Sequence, residues 1–542
     1  MHGRKVAVSC HNCSRRRLRC DRSKPGCNKC TASGLDCPGY GRILTWVEGA
    51  SAKAKRPRQR SNEAGAGAAG AAGAVSQPAG HTAAGSLIAS GTNAALPISV
   101  RESRFGHVDD VTRLYMEHFE NRVCKDLISH DHPGSNPFRQ LIPLALEHPF
   151  LLHILVATSA LHLFNTLHRT ALTIAQPHLL VASDTNHRLG IVTNSEGPVD
   201  QLSKTALTNA LAAKHRAICS LRTALAQPDD GNREVILAAI LFFINFELID
   251  VGNGGWQPHL RGAGRLMALL GQVQRSGSQM ANGLLFDVVI SDCLIYHILG
   301  STLSPAWLTA SITHQVLDLF PILERTEPYS YLCCPTALLK IILATSQLSV
   351  SVLGNPDPAL LAEATASALA LLNEALTLDT HAWAVKLGHH HQKGGMDGSP
   401  KPKPNPGTTD TDAGAASSSS SSSREHVASA HRSAACLYIL QAVPSARASG
   451  GVSIDELVAD VLGHLGRVGP GDAHFKATSW PTFVAAAETR DPATRAWLLG
   501  RLLAVWRVCP WGYIFTAVGM LRRMWAVRDA RTVGESDFGR WS

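Results

Sequence analysis

Six of the chain's 13 cysteines fall within 28 residues, in the stretch CHNCSRRRLRCDRSKPGCNKCTASGLDC from Cys10 to Cys37. Their spacing is a duplicated C-x2-C-x6-C. Cys10, Cys13 and Cys20 make the first half, a six-residue gap follows, and Cys27, Cys30 and Cys37 make the second. A C-x2-C pair lets two thiolates face one metal from a tight turn, and the six-residue gap is long enough for a short helix that returns a third. Two tetrahedral zinc ions need eight coordination positions. Six cysteines fill eight positions only if two of them bridge, so the arithmetic points to a binuclear cluster with one pseudo-symmetric half from each repeat. The residues between the ligands agree: Ser14 suits a helix N-cap, Pro25-Gly26 a turn between the halves, and Gly34 the end of the second helix. Asp21 and Asp36 adjoin ligand cysteines and are expected to order the surroundings of the metals rather than bind them.

Metal ligation also suits the compartment. The N-terminus, MHGRKVAVSCHNC, has no apolar signal region. The longest apolar run, Val235 to Ile244, falls short of the roughly 18 residues of a membrane span. An intracellular, reducing setting without membrane partners is therefore expected, where clustered cysteines hold metal rather than disulfides. Other readings of the cysteines stay open at this point. A redox C-x-x-C accounts for one pair but not for the duplication. A zinc deaminase requires an upstream H-x-E, and none precedes Cys27. A structural zinc knuckle that never touches DNA satisfies the spacing alone.

The pattern C-x2-C-x6-C-x6-C-x2-C-x6-C, with a basic run after the second cysteine and Cys-Asp at the third, resembles the fungal zinc-cluster (Zn2Cys6) transcription factors. The resemblance implies two zinc ions per chain, held by Cys10, Cys13, Cys20, Cys27, Cys30 and Cys37, with Cys10 and Cys27 as the bridges. It also implies double-stranded DNA as a partner, usually read as a CGG triplet. Carried over by position, Arg16 and Arg17 face bases, and Arg15 and Arg19 hold phosphates. Many relatives carry lysine at one base-reading position, so arginine at both bears on triplet preference. Lys24 and Lys29, in the second half, suit phosphate contacts or simple solvation. Rigidly held guanidinium groups have the geometry for both tasks, bidentate to guanine in the major groove or paired with phosphate. The stretch PGYGRILTWV, with Gly39-Tyr40 before Trp46, is similar to one subgroup of the family.

The charge distribution fits a polyanion partner. Residues 1–60 hold 15 Lys/Arg against 3 Asp/Glu, a balance of +12, while the other 482 residues balance at −3. The cluster Lys53, Lys55, Arg56, Arg58 and Arg60 suits a nuclear localisation signal, a phosphate-binding arm, or a solvated linker. From Glu63 to about Ser99 the chain is Ala/Gly-rich and is expected to be a flexible tether. Its glycines argue against the apolar heptads by which many zinc-cluster proteins dimerise, so no coiled coil is expected there and the oligomeric state stays open.

The remainder is expected to be all-α, with some twelve to eighteen helices. Charged residues are 17% of the chain, below the ordinary ~25%, as suits Ala/Leu-rich helices. Asp357-Pro358 and Asp491-Pro492 are helix starts, each an N-cap followed by proline at the first helical position. Three segments, Asn136 to Leu163, Gly255 to Met267 and Ser479 to Asp491, resemble the fungus-specific regulatory domain found after many zinc clusters. The resemblance implies a regulatory role, with co-regulators or the transcription machinery as partners and room for a small-molecule effector. No G-x-S-x-G, P-loop, H-E-x-x-H or Rossmann glycine fingerprint occurs, so no enzyme is expected. Trp256, His259 and Arg261 suit a helix start or a pocket wall. Cys333-Cys334 suits buried packing or thiol sensing, and His389–His391 suits a loop better than a metal site.

The reading is thus a small binuclear zinc-cluster module plus a large all-α helical domain, joined by a disordered linker. Residues 1–45 are the DNA-binding module, 46–105 the linker, and 106–542 the regulatory domain with a disordered insertion at 388–424. A nuclear regulator of RNA polymerase II genes follows from the resemblance. The alternative is a helical scaffold whose zinc module docks onto protein.

Overall fold

The computed structural model describes residues 9–10, 13, 16, 18–21, 23, 27–33 and 37 near the N-terminus, then 108–131, 135–174, 198–226, 232–252, 254–274, 283–303, 318–352, 357–393, 411–449 and 451–538. The chain divides into two compact units, Met1–Val108 and Asp109–Ser542. Every regular element among the described residues is helical. The fold is a small cysteine-centred module followed by a large all-α array. The tether at 46–105 lies outside the described residues, as does the basic cluster from Lys53 to Arg60.

Among the described residues of the first unit, Asn28–Ala32 form a short helix, α1. The second opens with α2 (Asp110–His118), which continues through a π-helical turn, Phe119–Val123, into Cys124–Asp126. Then come α3 (Leu141–Glu147), α4 (Pro149–Ile174), α5 (Pro198–Ala226), α6 (Arg233–Asp250), α7 (Trp256–Gln274) and α8 (Gly283–Ser301). The later helices are α9 (Phe320–Thr326), α10 (Thr336–Val352), α11 (Pro358–Thr377), α12 (Thr380–Lys393), α13 (Thr411–Ala442), α14 (Pro444–Ser449), α15 (Ile454–Gly466), α16 (Ser479–Glu488), α17 (Pro492–Val508) and α18 (Tyr513–Phe538). The two helix starts legible as Asp-Pro are formed as expected. Asp357 accepts from the Ala359 N–H at 2.9 Å and Asp491 from the Thr494 N–H at 2.7 Å, each satisfying a donor that the first turn leaves without an intrahelical partner.

Two helices organise the core. In α6 every residue from Val235 to Phe246 is buried. A helix apolar on all sides has to be enclosed, and α4, α7, α8 and α18 pack against it. Phe242 meets Phe119 and Phe138 edge-on, with ring centroids at 5.4 and 6.4 Å. The second hub is α13, against which α10, α11, α12, α15 and α16 pack. The Asn165 side-chain amide on α4 donates to the carbonyls of Ile249 and Pro510, both at 2.8 Å. That one side chain ties the end of α6 to the turn between α17 and α18.

The 388–424 segment differs from the expected disordered insertion. α12 runs through His389–His391 to Lys393, and α13 begins at Thr411, so Ser417–Ser423 are helical. Only 394–410 falls outside the described residues. Serine costs a helix only about half a kcal/mol per residue relative to alanine. The buried stretch of α13 that follows, with Ser423 and Arg424 at 4% and 5% exposure, anchors the run from one end. Among the described residues, three helices are also long and apolar enough to cross a membrane by length and composition, although no single uninterrupted apolar run is. In α4 and α8 those side chains are spent on the interior, 61% and 72% of the stretches being buried. α11 is only 22% buried.

The turn from α17 into α18 lies close against the end of α6. The Gly512 N–H donates to the Ile249 carbonyl at 3.0 Å, and a Cβ on Gly512 would stand 1.9 Å from the Asp250 carbonyl oxygen. Gly252, at φ +67°, faces Tyr513, whose Cβ would lie 2.6 Å from an added Cβ. Gly500, exposed within α17, has open space around it. Two glycine substitutions should therefore move stability in opposite directions. Gly512→Ala is expected to lower the melting temperature of the full chain, because backbone must shift to admit the methyl group. Gly500→Ala should raise stability by about 0.5–1 kcal/mol through helix propensity and chain entropy. Thermal melts followed by circular dichroism check both.

Candidate metal centre and DNA interface

The six sulfurs of the first unit gather into one cluster. Cys10, Cys13, Cys20, Cys27 and Cys30 are buried and Cys37 is packed against them. The Sγ atoms of Cys10 and Cys27 lie 3.5 Å apart, Cys10 and Cys30 3.7 Å, and Cys13 and Cys27 3.6 Å. These are far longer than the ~2.05 Å of a disulfide and close to the edge of a sulfur tetrahedron around zinc, about 3.8 Å for a Zn–S distance near 2.3 Å. Two quartets have all their sulfurs within 4.8 Å of one another: Cys10, Cys13, Cys20 and Cys27, and Cys10, Cys27, Cys30 and Cys37. Cys10 and Cys27 belong to both. All six thiols are free of disulfides, and an all-sulfur tetrahedral donor set is the one zinc takes in structural sites. The residues therefore fit zinc.

The duplication in sequence is a duplication in hydrogen bonding. In the first half the Cys13 N–H donates to Cys10 Sγ at 3.4 Å and the Cys10 N–H to Cys20 Sγ at 3.5 Å. In the second, the Cys30 N–H donates to Cys27 Sγ at 3.3 Å and the Cys27 N–H to Cys37 Sγ at 3.3 Å. The shared sulfurs thus cap the two local turns, and the N–H donors favour the thiolate over the thiol. Burial pushes the Cys13, Cys27 and Cys30 thiols up, since six sulfurs in contact cannot charge without a cation among them. A bound metal supplies that cation.

Asp21 has a specific task that sequence reasoning left as general ordering. Its carboxylate accepts from the Ser23 hydroxyl and from the backbone N–H groups of Asn28, at 3.1 Å, and Lys29, at 3.4 Å. It therefore caps α1 from the residue that follows Cys20. The Ser23 hydroxyl and the two N–H donors lower its pKa to about 2. The partners lie seven and eight positions along the chain, beyond the reach of local capping patterns, so only the folded module brings them together. Of the basic residues expected at DNA, Arg16, Arg19 and Lys29 are exposed. Arg15, Arg17 and Lys24 lie outside the described residues.

In the helical unit, Trp256 lines a cavity. His259 is buried and stacks on Phe243 with ring centroids 5.1 Å apart, and Arg261 is exposed. The Gly255–Met267 segment thus splits between wall, core and surface. Burial lifts the Cys333 thiol to about 12 and pushes Cys334 well above the ordinary range. That keeps both protonated and poorly nucleophilic, in line with packing rather than sensing.

A six-cysteine cluster whose two sulfur quartets share two members, ahead of an all-helical array, defines a class: zinc-cluster transcription regulators. Comparison with known families agrees over most of the chain. Residues 8–46 match the fungal Zn(2)-Cys(6) binuclear cluster domain and residues 113–541 the fungal specific transcription factor domain. The chain belongs to the fungal zinc-cluster transcription factors. It is 31% identical to the acriflavine sensitivity control protein acr-2 of Neurospora crassa, over 98% of this chain and 94% of that protein. That is the subgroup to which the Gly39–Trp46 segment is similar. It is also 37% identical to the transcription factor pgmR of Aspergillus terreus over 60 residues, 11% of this chain and 27% of that protein. No solved structure matches.

If Asp21 holds the second half in place, its removal should loosen the metal. Asp21→Ala is expected to speed zinc release to a chromogenic chelator several-fold, with Asp21→Asn intermediate because its amide oxygen still accepts from one N–H. Stopped-flow chelator assays on the full chain measure this. Equal release rates for all three proteins would remove Asp21 from the support of the cluster.

Proposed function

We propose that the chain is a nuclear, sequence-specific DNA-binding regulator of RNA polymerase II transcription, acting by binding rather than catalysis. Residues 1–45 form the reading module and 106–542 a regulatory domain, with 46–105 as the tether between them. Two zinc ions per chain sit in the two sulfur quartets, and Cys10 and Cys27 ligate both. The observation that carries the reading is the sharing of those two cysteines between quartets, which fits two tetrahedral ions on six ligands. Zinc here is structural: it fixes the fold, and the arginines do the recognition.

Arg16 and Arg17 read bases of a CGG-like triplet in the major groove. Arg15, Arg19, Lys24 and Lys29 pair with phosphates, and Lys53, Lys55, Arg56, Arg58 and Arg60 direct nuclear import. The exposure of Arg16, Arg19 and Lys29 and the balance of +12 over residues 1–60 support a polyanion as the partner. The near-neutral helical region then addresses co-regulators or the transcription machinery.

Metal analysis of the purified full chain should give a zinc to protein ratio near two. A ratio of one with the module folded would sink the bridging arrangement. Gel-shift titrations on CGG-containing and scrambled duplexes test the reading itself. Arg17→Ala is expected to cost about 1–3 kcal/mol on the CGG duplex and to relax the preference between duplexes. Arg15→Ala should weaken both nearly equally and lower the salt slope by about one. A zinc-loaded chain that binds neither duplex would instead favour a module that docks onto protein.

A further inference from the structure

The chain is poor in aromatic residues, 6% overall, with 10 tryptophans and 7 tyrosines. Three of each, Trp256, Trp480, Trp511, Tyr296, Tyr331 and Tyr513, line one cavity of about 480 Å³ within the helical unit. A recess of this size falls in the range of small-molecule sites, about 300–1,000 Å³. Two of the segments that resemble the regulatory domain contribute to it, through Trp256 at the start of α7 and Ser479, Trp480 and Phe483 of α16. The backbone around it is held closely, as the Gly252 and Gly512 approaches show.

The polar groups of the wall define the occupant. Asp126 is the one carboxylate of the lining, and its charge is already used. It accepts from His162 at 3.0 Å and from the Trp511 indole N–H at 3.1 Å, and Lys476 lies close enough to stabilise it. Lys476 Nζ donates to the carbonyls of Lys125 and Ile128 at 2.5 and 2.6 Å. An ammonium has three hydrogens, so one remains for the cavity that Lys476 lines. The Tyr296 and Tyr513 hydroxyls are committed to Asn245 and Ser479. The Trp480 indole N–H is buried and has no partner among the described residues. The wall therefore offers aromatic faces and unspent donors, but no unspent acceptor charge. Asp126 and Lys476 neutralise each other, and Arg523, the other cation of the lining, is exposed and keeps its water, so neither a cation nor an anion recovers its desolvation there.

We propose that this cavity is a binding site for an uncharged, planar aromatic small molecule carrying a hydrogen-bond-acceptor oxygen, stacked among the tryptophans and tyrosines with that oxygen on Lys476 Nζ. Such a ring gains apolar burial and offset stacking from the walls. Its single acceptor satisfies the lysine donor that the fold leaves over. Any effect of the bound molecule on transcription rests on the DNA-binding reading above. Occupancy of the cavity does not, and it is measured without DNA, so either can fail alone.

Nile red, an uncharged planar phenoxazinone with a ring carbonyl, is a suitable probe. Nile blue is its cationic counterpart, with an amino group in place of that carbonyl. Titrated into the full chain, Nile red should bind saturably, one per chain, with blue-shifted emission, and about tenfold more tightly than Nile blue. Ala517→Trp, which fills the cavity, should abolish saturable binding in a protein whose circular dichroism is unchanged. Lys476→Met, which keeps the stem and removes the donors, should weaken Nile red about tenfold and narrow its lead over Nile blue. Leu361→Asn, on the exposed face of α11, should change nothing and so excludes adsorption to surface apolar groups. Non-saturating binding, equal or tighter binding of Nile blue to the unmodified chain, or saturable binding untouched by Lys476→Met would each overturn the proposal. The dye comparison on the unmodified chain decides the matter even if a variant fails to fold.

Discussion

Two sulfur atoms hold the first unit together. Cys10 and Cys27 are the only members common to both quartets, and each also accepts a backbone N–H from the cysteine three positions on. The pair therefore fixes the sulfur cluster and the two local turns at once. The stretch from Cys10 to Cys37 is too short and too polar for a hydrophobic core. Among its described residues every buried one is cysteine, so thiolate–metal bonds take the place that apolar burial has in the helical unit. The exposed arginines gain a defined direction from the same source: Arg16 and Arg19 lie on the segment between Cys13 and Cys20, whose ends are both fixed in one quartet.

The helical unit is built on the opposite principle. Its stability resides in two enclosed helices, α6 and α13, around which the others are layered. Several polar groups of that interior tie distant segments together. Asn165 binds the carbonyls of Ile249 and Pro510, and Arg501 reaches the Val468 carbonyl at 2.9 Å. The Asp126–His162–His118 chain, with links of 3.0 and 2.9 Å, joins the turn after α2 to α4, and burial keeps His118 neutral, its pKa lowered to about 3. The segments so tied meet at the aromatic cavity. A region that accounts for most of the chain thus holds a defined cavity as well as an outer surface.

Much of this was legible in the residues. The gathering of six sulfurs into two quartets follows from spacing, because a C-x2-C-x6-C repeat restricts where its sulfurs can go. The all-α class follows from apolar periodicity. The starts of α11 and α17 follow from Asp-Pro, because capping is a matter of neighbouring residues. Reasoning from the sequence failed where local composition was overruled. The serine run at Ser417–Ser423 looks like a loop but continues into the buried part of α13. Apolar stretches broken by single polar residues fell short of a membrane span by run length, yet α4, α8 and α11 meet that requirement on average hydropathy.

The sequence by itself determined the metal, the number of ligands, the position of the basic residues beside them and the helical character of the rest, since all of these depend on residues within a few positions of one another. Only the tertiary structure decided that Asp21 caps α1, that Trp256 is wall while His259 is core, and that seven aromatic residues between positions 256 and 513 share one cavity. Those facts rest on contacts between segments tens to hundreds of residues apart. No spacing rule encodes such contacts, because they are set by how whole helices pack around α6 and α13.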